Sequence, residues 1–512
     1  MRKALCLLLL LFTTGCRSVS SYEMQSRARA LTVQGKTKEA AAIVASYEFY
    51  PYESSRLVRY LDNGTMHYLN GNYYQALQQF DKAREAAAEL YTQSISKTIL
   101  AGAAGQSLSD YVGERYELSL LRFYQSLCHY HLSRNGVYEA YSDENGVPVP
   151  ARTLSDAEKR RHLSAARAAL LDWDTLLNDY SDQSAGKNQF KTDMMAKTWG
   201  GFVHQNYGTT TDVQIARQLY RDVPKVLLRN YSAYPAYNTK FREFGEDYAR
   251  LSDLPEETVR KRYTDETPQA SHLKGYASSS LKKLESRRTD NVHILLKTGL
   301  ITLKKKKTTS YYIPMALLLG YSGDSGFQDF VFSVMAGQTI EFEIPQRVEP
   351  SAPPTYEAVI RNADGKIITR APMALTEPLS EIAYAEYQRI RGRLYSETAA
   401  RLAAKHAAAL AAAYASYDEN NPSSLAFAHL SYSLARLGIE MSESADLRYW
   451  GTLPANIWIQ SFRLPTGRYV LEILADGRTA ERREFEVEKK EETLIDLNIF
   501  REGNEKEPAS AP

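Results

Sequence analysis

Apolar positions recur three and four residues apart from residue 22 to about 290, the period of amphipathic helices. Beyond 290 the pattern changes to short runs rich in β-branched and aromatic residues, predicting strands at Val292–Leu296, Tyr311–Leu319, Phe330–Val334 and Thr339–Ile344. Pro345 to Pro354 reads as a proline-rich loop, and Tyr356–Arg361 and Lys366–Arg370 flank Asn362-Ala363-Asp364-Gly365, a hairpin signal. Helical spacing returns at Leu379–Tyr417 and at 423–438. Four more strands are predicted at Ile457–Phe462, Tyr469–Leu474, Arg483–Val487 and Leu494–Ile499. The expected architecture is α+β and multidomain. An all-α region spans 22–290, and an antiparallel β-sandwich-like domain spans 291–500 with a helical insertion at about 378–440. Residues 501–512 are polar and are expected to be a disordered tail.

Within the helical half, Tyr60 to Ala83 places Gly64, Gly71, Tyr73, Ala76, Phe80 and Ala83 where a tetratricopeptide repeat puts small and aromatic residues. Small residues let paired helices approach, and aromatic knobs fill the space beside them. Gly35 to Ala40 echoes the spacing of Gly71 to Ala76, and Ala216, Tyr220 and Val223 sit at the offsets of Ala76, Phe80 and Ala83. The resemblance implies a tetratricopeptide-like helical solenoid.

The first sixteen residues read MRKALCLLLLLFTTGC. Arg2 and Lys3 precede an apolar run to Phe12, too short to span a bilayer, as in a signal peptide. Gly15-Cys16 at its end resembles a bacterial lipoprotein signal, although Thr13 stands where that family prefers Leu. The resemblance implies cleavage after residue 15, lipidation of Cys16 and a short lipidated linker at 16–21. Arg17 in place of Asp implies sorting to the outer membrane, on its periplasmic face.

Composition narrows the function classes. The 63 Lys and Arg include Arg2 and Lys3 of the leader, so the mature chain balances its 61 acids, and no global field favours nucleic acid. Three cysteines exclude a disulfide scaffold, and Cys128 is expected to be a buried small residue. Gly323-Asp324-Ser325-Gly326 matches a serine-protease tetrad, but Phe327 follows it and a Gly/Ser/Asp turn explains the same residues. His129 and His131 are two apart on a helix, pointing to different faces, so no metal pair is expected. Lys304–Lys307 reads as a solvated hairpin tip, with contact to lipid head groups or peptidoglycan carboxylates as the functional alternative. No cofactor, metal or catalytic residue is expected.

Longer phrases resemble a family of bacterial tetratricopeptide-like outer-membrane lipoproteins over about residues 55–475. They are the Tyr111–Tyr130 helix with Glu114, Tyr116 and Glu117, then Asp212–Ala216, Asn230-Tyr231, Tyr237-Asn238, Asn291–His293 and Ala445–Pro454. The family is often encoded beside a lipoprotein resembling an activator of penicillin-binding proteins, which implies envelope partners such as those of a peptidoglycan-synthesis complex, and a non-catalytic scaffold role. The 36 tyrosines cluster in the helical half, and Tyr111, Tyr116, Tyr124 and Tyr130 are candidate partner contacts. Arg448 and Trp450 are further candidates, because both residue types favour interface hot spots, though a buried tryptophan with an Asp446–Arg448 pair accounts for them structurally. The competing expectation is a peptidoglycan- or carbohydrate-binding protein, or an envelope enzyme, with its site in the β half.

Overall fold

The computed structural model describes residues 17–46, 48–97, 109–142, 146–183, 190, 192–240, 255–311, 325–335, 340–418, 421–489 and 492–500. Cys16, Gly323, Asp324 and the expected tail lie outside them, and the linker call at 16–21 gives way to helix from residue 17 onward.

Helices α1 (Arg17–Val33), α2 (Thr37–Val44), α3 (Arg56–Leu69), α4 (Tyr73–Lys97) and α5 (Arg115–Asn135) follow one another in pairs. Two short strand pairs, β1 (Val137–Tyr138) with β4 (Arg152–Thr153) and β2 (Tyr141–Ser142) with β3 (Pro148–Val149), interrupt the helical pattern. Helices α6 (Asp156–Gln183), α7 (Met194–Tyr207), α8 (Thr210–Arg229), α9 (Glu256–Tyr263) and α10 (Pro268–Glu285) complete the half. Two of its contacts use one device. A Cβ on Gly64 of α3 would lie 2.5 Å from the Phe80 ring of α4, and one on Gly201 of α7 would lie 2.7 Å from the Tyr220 ring of α8. Each glycine gives up a side chain so that an aromatic ring can rest on the helix backbone.

The β half contains β5 (Val292–Leu300), β6 (Lys304–Tyr311), β7 (Ile340–Arg347), β8 (Tyr356–Asn362), β9 (Ile367–Pro372), β10 (Ala374–Glu377), β11 (Pro454–Phe462), β12 (Gly467–Ala475), β13 (Arg478–Val487) and β14 (Thr493–Ile499). One sheet has the order β10-β11-β5-β14 and the other β13-β12-β8-β9. All pairings in them are antiparallel except β14 on β5. The Asn362–Gly365 hairpin joins β8 to β9 as its Asp-Gly predicts. Between the sheets, the Tyr356 and Trp458 rings meet edge to face with centroids 5.1 Å apart.

Three local expectations are corrected. Phe330–Val334 is not a strand but part of helix α11 (Ser325–Met335), where Phe327, Phe330, Val331 and Val334 share one buried face at helical spacing. Lys304–Lys307 is not a hairpin tip but the start of β6, paired with Arg347 through Ile344. The proline-rich loop begins only after Arg347, since Pro345 continues β7. The insertion forms as two helices, α12 (Leu379–Tyr414) and α13 (Pro422–Ser442).

The central strands carry the packing logic. Along β5, Ile294, Leu296 and Thr298 face one way and His293, Leu295 and Lys297 the other, and all are buried. The first set meets Trp458, whose indole N–H donates to Thr298 at 3.1 Å. The second meets the helices: His293 lies against Phe202 of α7 and Lys297 against Tyr68 of α3. One apolar core therefore runs from α1 to β14. A second, smaller core gathers α11, β7, the distal half of α12, and α13.

Candidate functional site

All six candidate partner residues that the structure describes are interior, so in this conformation none offers a surface to a second protein. Tyr124 packs against the rings of Tyr68, Phe80 and Trp450. Tyr130 lies on Trp199 and Phe202. The Tyr111 hydroxyl donates to Glu117, and Arg347 donates to the Tyr116 hydroxyl at 3.0 Å. The face of the helical layer expected to receive a partner is filled by the chain's own β half. Trp450 is fully buried; its indole donates to Thr65 of α3 and its backbone N–H to Glu117 of α5, both at 2.8 Å. Arg448 is held in a fork by Asp446 and donates to the carbonyls of Ser54 and Ser109. The Asp446–Arg448 pair was readable in the sequence. That the pair reaches back to the helical half, across nearly 400 residues of chain, was not.

Three buried polar clusters join the halves. In the first, the Lys297 ammonium contacts Asp496 of β14 and donates to the Tyr68 hydroxyl at 2.9 Å, while His131 meets the other Asp496 oxygen at 2.9 Å. Burial pushes the Asp496 carboxyl up, but Lys297 and the His131 hydrogen bond outweigh it and hold the group well below the usual carboxylate range. In the second, Glu114 at the start of α5 receives Lys304 at 2.6 Å and Arg347 at 3.4 Å. Burial opposes the charge on Glu114, yet these two cations bring its pKa to about 2. In the third, Asp193 caps α7 and accepts from Ser119 at 2.6 Å, and the neighbouring Glu377 accepts from Tyr231 at 2.6 Å. Burial raises both acids, Asp193 to about 6 and Glu377 well above the ordinary range with Asp193 adding to the rise. A protonated carboxyl beside a carboxylate is acid–base chemistry in principle, but both side chains are fully buried.

The remaining sequence candidates are dispersed. His129 pairs with His162 and His131 with Asp496, on different faces of α5 as expected. Cys128 is buried. Ser325 opens α11. Among the described residues no group of three or more His, Cys, Asp or Glu is placed to hold a metal ion, and no helix is long and apolar enough to cross a membrane.

Two surface features stand out instead. A cleft of about 310 Å³ lies between the paired strands β6 and β7 and α12, lined by Lys305, Gln346, Arg347, Tyr384, Tyr387 and Arg391 among others. On α13, Phe427, Leu430, Leu434 and Leu437 are 45–61% exposed and fall on one face. Asn421 and Pro422 start that helix, and its opposite face buries Ala428 and Tyr432, with the Tyr432 hydroxyl between His406 and Met335. Core packing therefore fixes which side of α13 points outward. The signal for this stripe was present in the sequence as a three-four-three spacing within the expected 423–438 helix. The cleft had no such signal, because β6, β7 and α12 meet only in the fold.

Comparison with family models, with curated proteins and with solved structures returns no match for the chain. Function therefore rests on the geometry.

Proposed function

We propose that the chain is a lipid-anchored, non-catalytic binding protein of the bacterial envelope that engages its partner through α13. Helix pairs closed by glycine-on-ring contacts support a tetratricopeptide-like reading of the helical half, and two four-stranded sheets sharing apolar residues support a sandwich-like β half. The observation that carries the function is the outward face of α13. Phe427, Leu430, Leu434 and Leu437 repeat at the three-four spacing of a coiled-coil seam, and Ser431, Ser433 and Gly438 beside them are small and uncharged. Such a seam fits one kind of occupant, an amphipathic α-helix of another envelope protein with leucine-type residues at matching spacing. Arg436 and Glu440 pair on the flank at 2.7 Å, so the helix lacks the basic border that draws amphipathic helices to anionic lipid.

A photocrosslinking residue at Leu434, used in intact cells, is expected to capture a helical segment of one envelope protein. Leu430→Asp should abolish the product while leaving stability within about 0.5 kcal/mol, as for exposed positions generally. Crosslinks to a second copy of the chain, or to lipid alone, overturn the reading. Anchoring is tested separately: Cys16→Ser is expected to release the protein from the membrane fraction and remove acyl labelling. Unchanged fractionation and labelling would sink that half of the proposal.

A further inference from the structure

We infer that the second core is a lobe that turns as one body against the rest of the molecule, about a hinge at Gly392 of α12. Its members are α11, the outer part of the β6–β7 pair, the distal half of α12, and α13. The two cores share no buried apolar residue among those described. Three stretches of chain cross between them. Each is clamped on both sides and weakly held in between.

The longest crossing is α12. Leu379, Ile382 and Ala383 pack into the main core, and Leu402, Leu410 and Ala413 into the small one. From Gln388 to Glu397 no residue is buried. About 15 Å of helix, at 1.5 Å per residue, therefore runs without a buried anchor. Gly392 lies near the middle of that stretch. A Cβ there would meet nothing within 4 Å, unlike one on Gly64 or Gly201, so packing does not explain the glycine. Glycine in a helix interior widens the freedom of the backbone, which makes Gly392 the point where α12 bends at least cost. Gly275 and Gly438 also have open space around them, but each sits in a helix held by a single core.

The second crossing is the β6–β7 pair, which belongs to neither four-stranded sheet. Its root is pinned to α5, where Lys304 and Arg347 meet Glu114. Its outer part joins the lobe through Phe342 and Ile344, and the Phe342 ring lies 5.5 Å from that of Tyr395. Between root and lobe, Lys305, Lys306 and Gln346 are exposed, and a two-stranded ribbon twists more freely than a sheet. The third crossing is the shortest. Glu443 is held within the lobe by Arg401 at 2.8 Å and Lys405 at 2.7 Å, whereas Arg448 is fixed to the Ser54 and Ser109 carbonyls of the main body. Ser444 to Leu447 bridge the two without regular structure. Motion needs room, and the cleft of about 310 Å³ supplies it, between the ribbon root and the part of α12 just before Gly392.

The lobe carries α13, so its angle sets where that helix faces, but the hinge itself needs no partner. The test is the distance between paired spin labels on the full chain in detergent, read by pulsed electron resonance. Cys128 is buried, so labels go to the exposed positions Ser278→Cys in α10 of the main body, and Ala412→Cys and Ser433→Cys in the lobe. Ala412 stands about 30 Å along α12 from Gly392, and a kink of about 20° there displaces it by about 10 Å. Distances between 278 and 412 should spread over roughly that range, while those between 412 and 433, both in the lobe, should stay narrow. Gly392→Ala enters open space, so the variant should fold as the parent does and should cut the spread by about half. A narrow 278–412 distribution in the parent overturns the inference, as does an unchanged spread in Gly392→Ala. A 412–433 spread as wide as the crossing pair overturns it too, because the lobe would then be fraying and not turning. None of these outcomes depends on crosslinking at Leu434, so the two readings fail independently.

Discussion

Asp496→Ala is expected to destabilise the protein by about 3–5 kcal/mol at neutral pH, read as a shift in the denaturant midpoint. The reason is the partner it strands. Lys297 is fully buried on the helix-facing side of β5, and burial pulls its ammonium pKa down. Asp496 supplies the compensating charge, and without it Lys297 keeps only the Tyr68 hydroxyl and ring. Lys297→Met should be destabilising too, because Asp496 would keep only His131 and Tyr68. The double variant Lys297→Met/Asp496→Leu should lose much less than the sum of the two, since apolar replacement of a whole buried pair is often neutral. The pH dependence has a definite sign. The folded carboxyl lies below its ordinary value. Its stabilising contribution is therefore complete above the unfolded pKa of about 3.9 and is lost as pH falls below it. The gap between parent and Asp496→Ala should stay constant from pH 7 to 5 and narrow below about 4. A loss under 1 kcal/mol at neutral pH, or a gap that widens in acid, would show that the pair does not hold the sheet to the helices.

The legibility of this chain divides along contact distance. Elements set by local periodicity were readable: β5, β8 to β9 with its Asp-Gly turn, β11, β12 and both insertion helices fall close to where alternation or helical spacing places them. Helix α11 was misread because Phe330 to Val334 is short, apolar and β-branched, which fits either period. Packing against Tyr414 and Tyr417 of the insertion decides it. The tyrosines were correctly seen as concentrated in the helical half, but composition cannot say what covers them. Their cover is the loop and sheet that arrive more than 300 residues later, as in Trp450 on Thr65 and Glu117. Lys297 lies just beyond the strand expected at Val292–Leu296, and both its place in β5 and its Asp496 partner emerge only in the fold. The cleft inherits the same difficulty, since residues of β6, β7 and α12 come together to line it only in the fold.

Trp450 provides the second large effect and tests whether the two halves fold as one body. Removing a fully buried tryptophan side chain costs about 3–5 kcal/mol through lost transfer energy and the cavity left behind. Here the cavity would open between Phe80, Tyr124 and the 446–452 segment. Trp450→Ala is therefore expected to lower the unfolding midpoint strongly. Because the backbone segment around Trp450 links the layers, it should also expose α5 to hydrogen exchange before the β sheets open. Trp450→Phe keeps most of the ring volume and loses the donor to Thr65, so its cost should be nearer 1–2 kcal/mol, roughly one hydrogen bond plus imperfect filling. Exchange that rises equally everywhere would mean a single cooperative unit in which the helices cannot be released separately. Exchange that rises first in α3 to α5 would mean that the buried tyrosine face is covered by a detachable element. A partner able to displace the 446–452 segment would then find on that face the aromatic surface the sequence led one to expect.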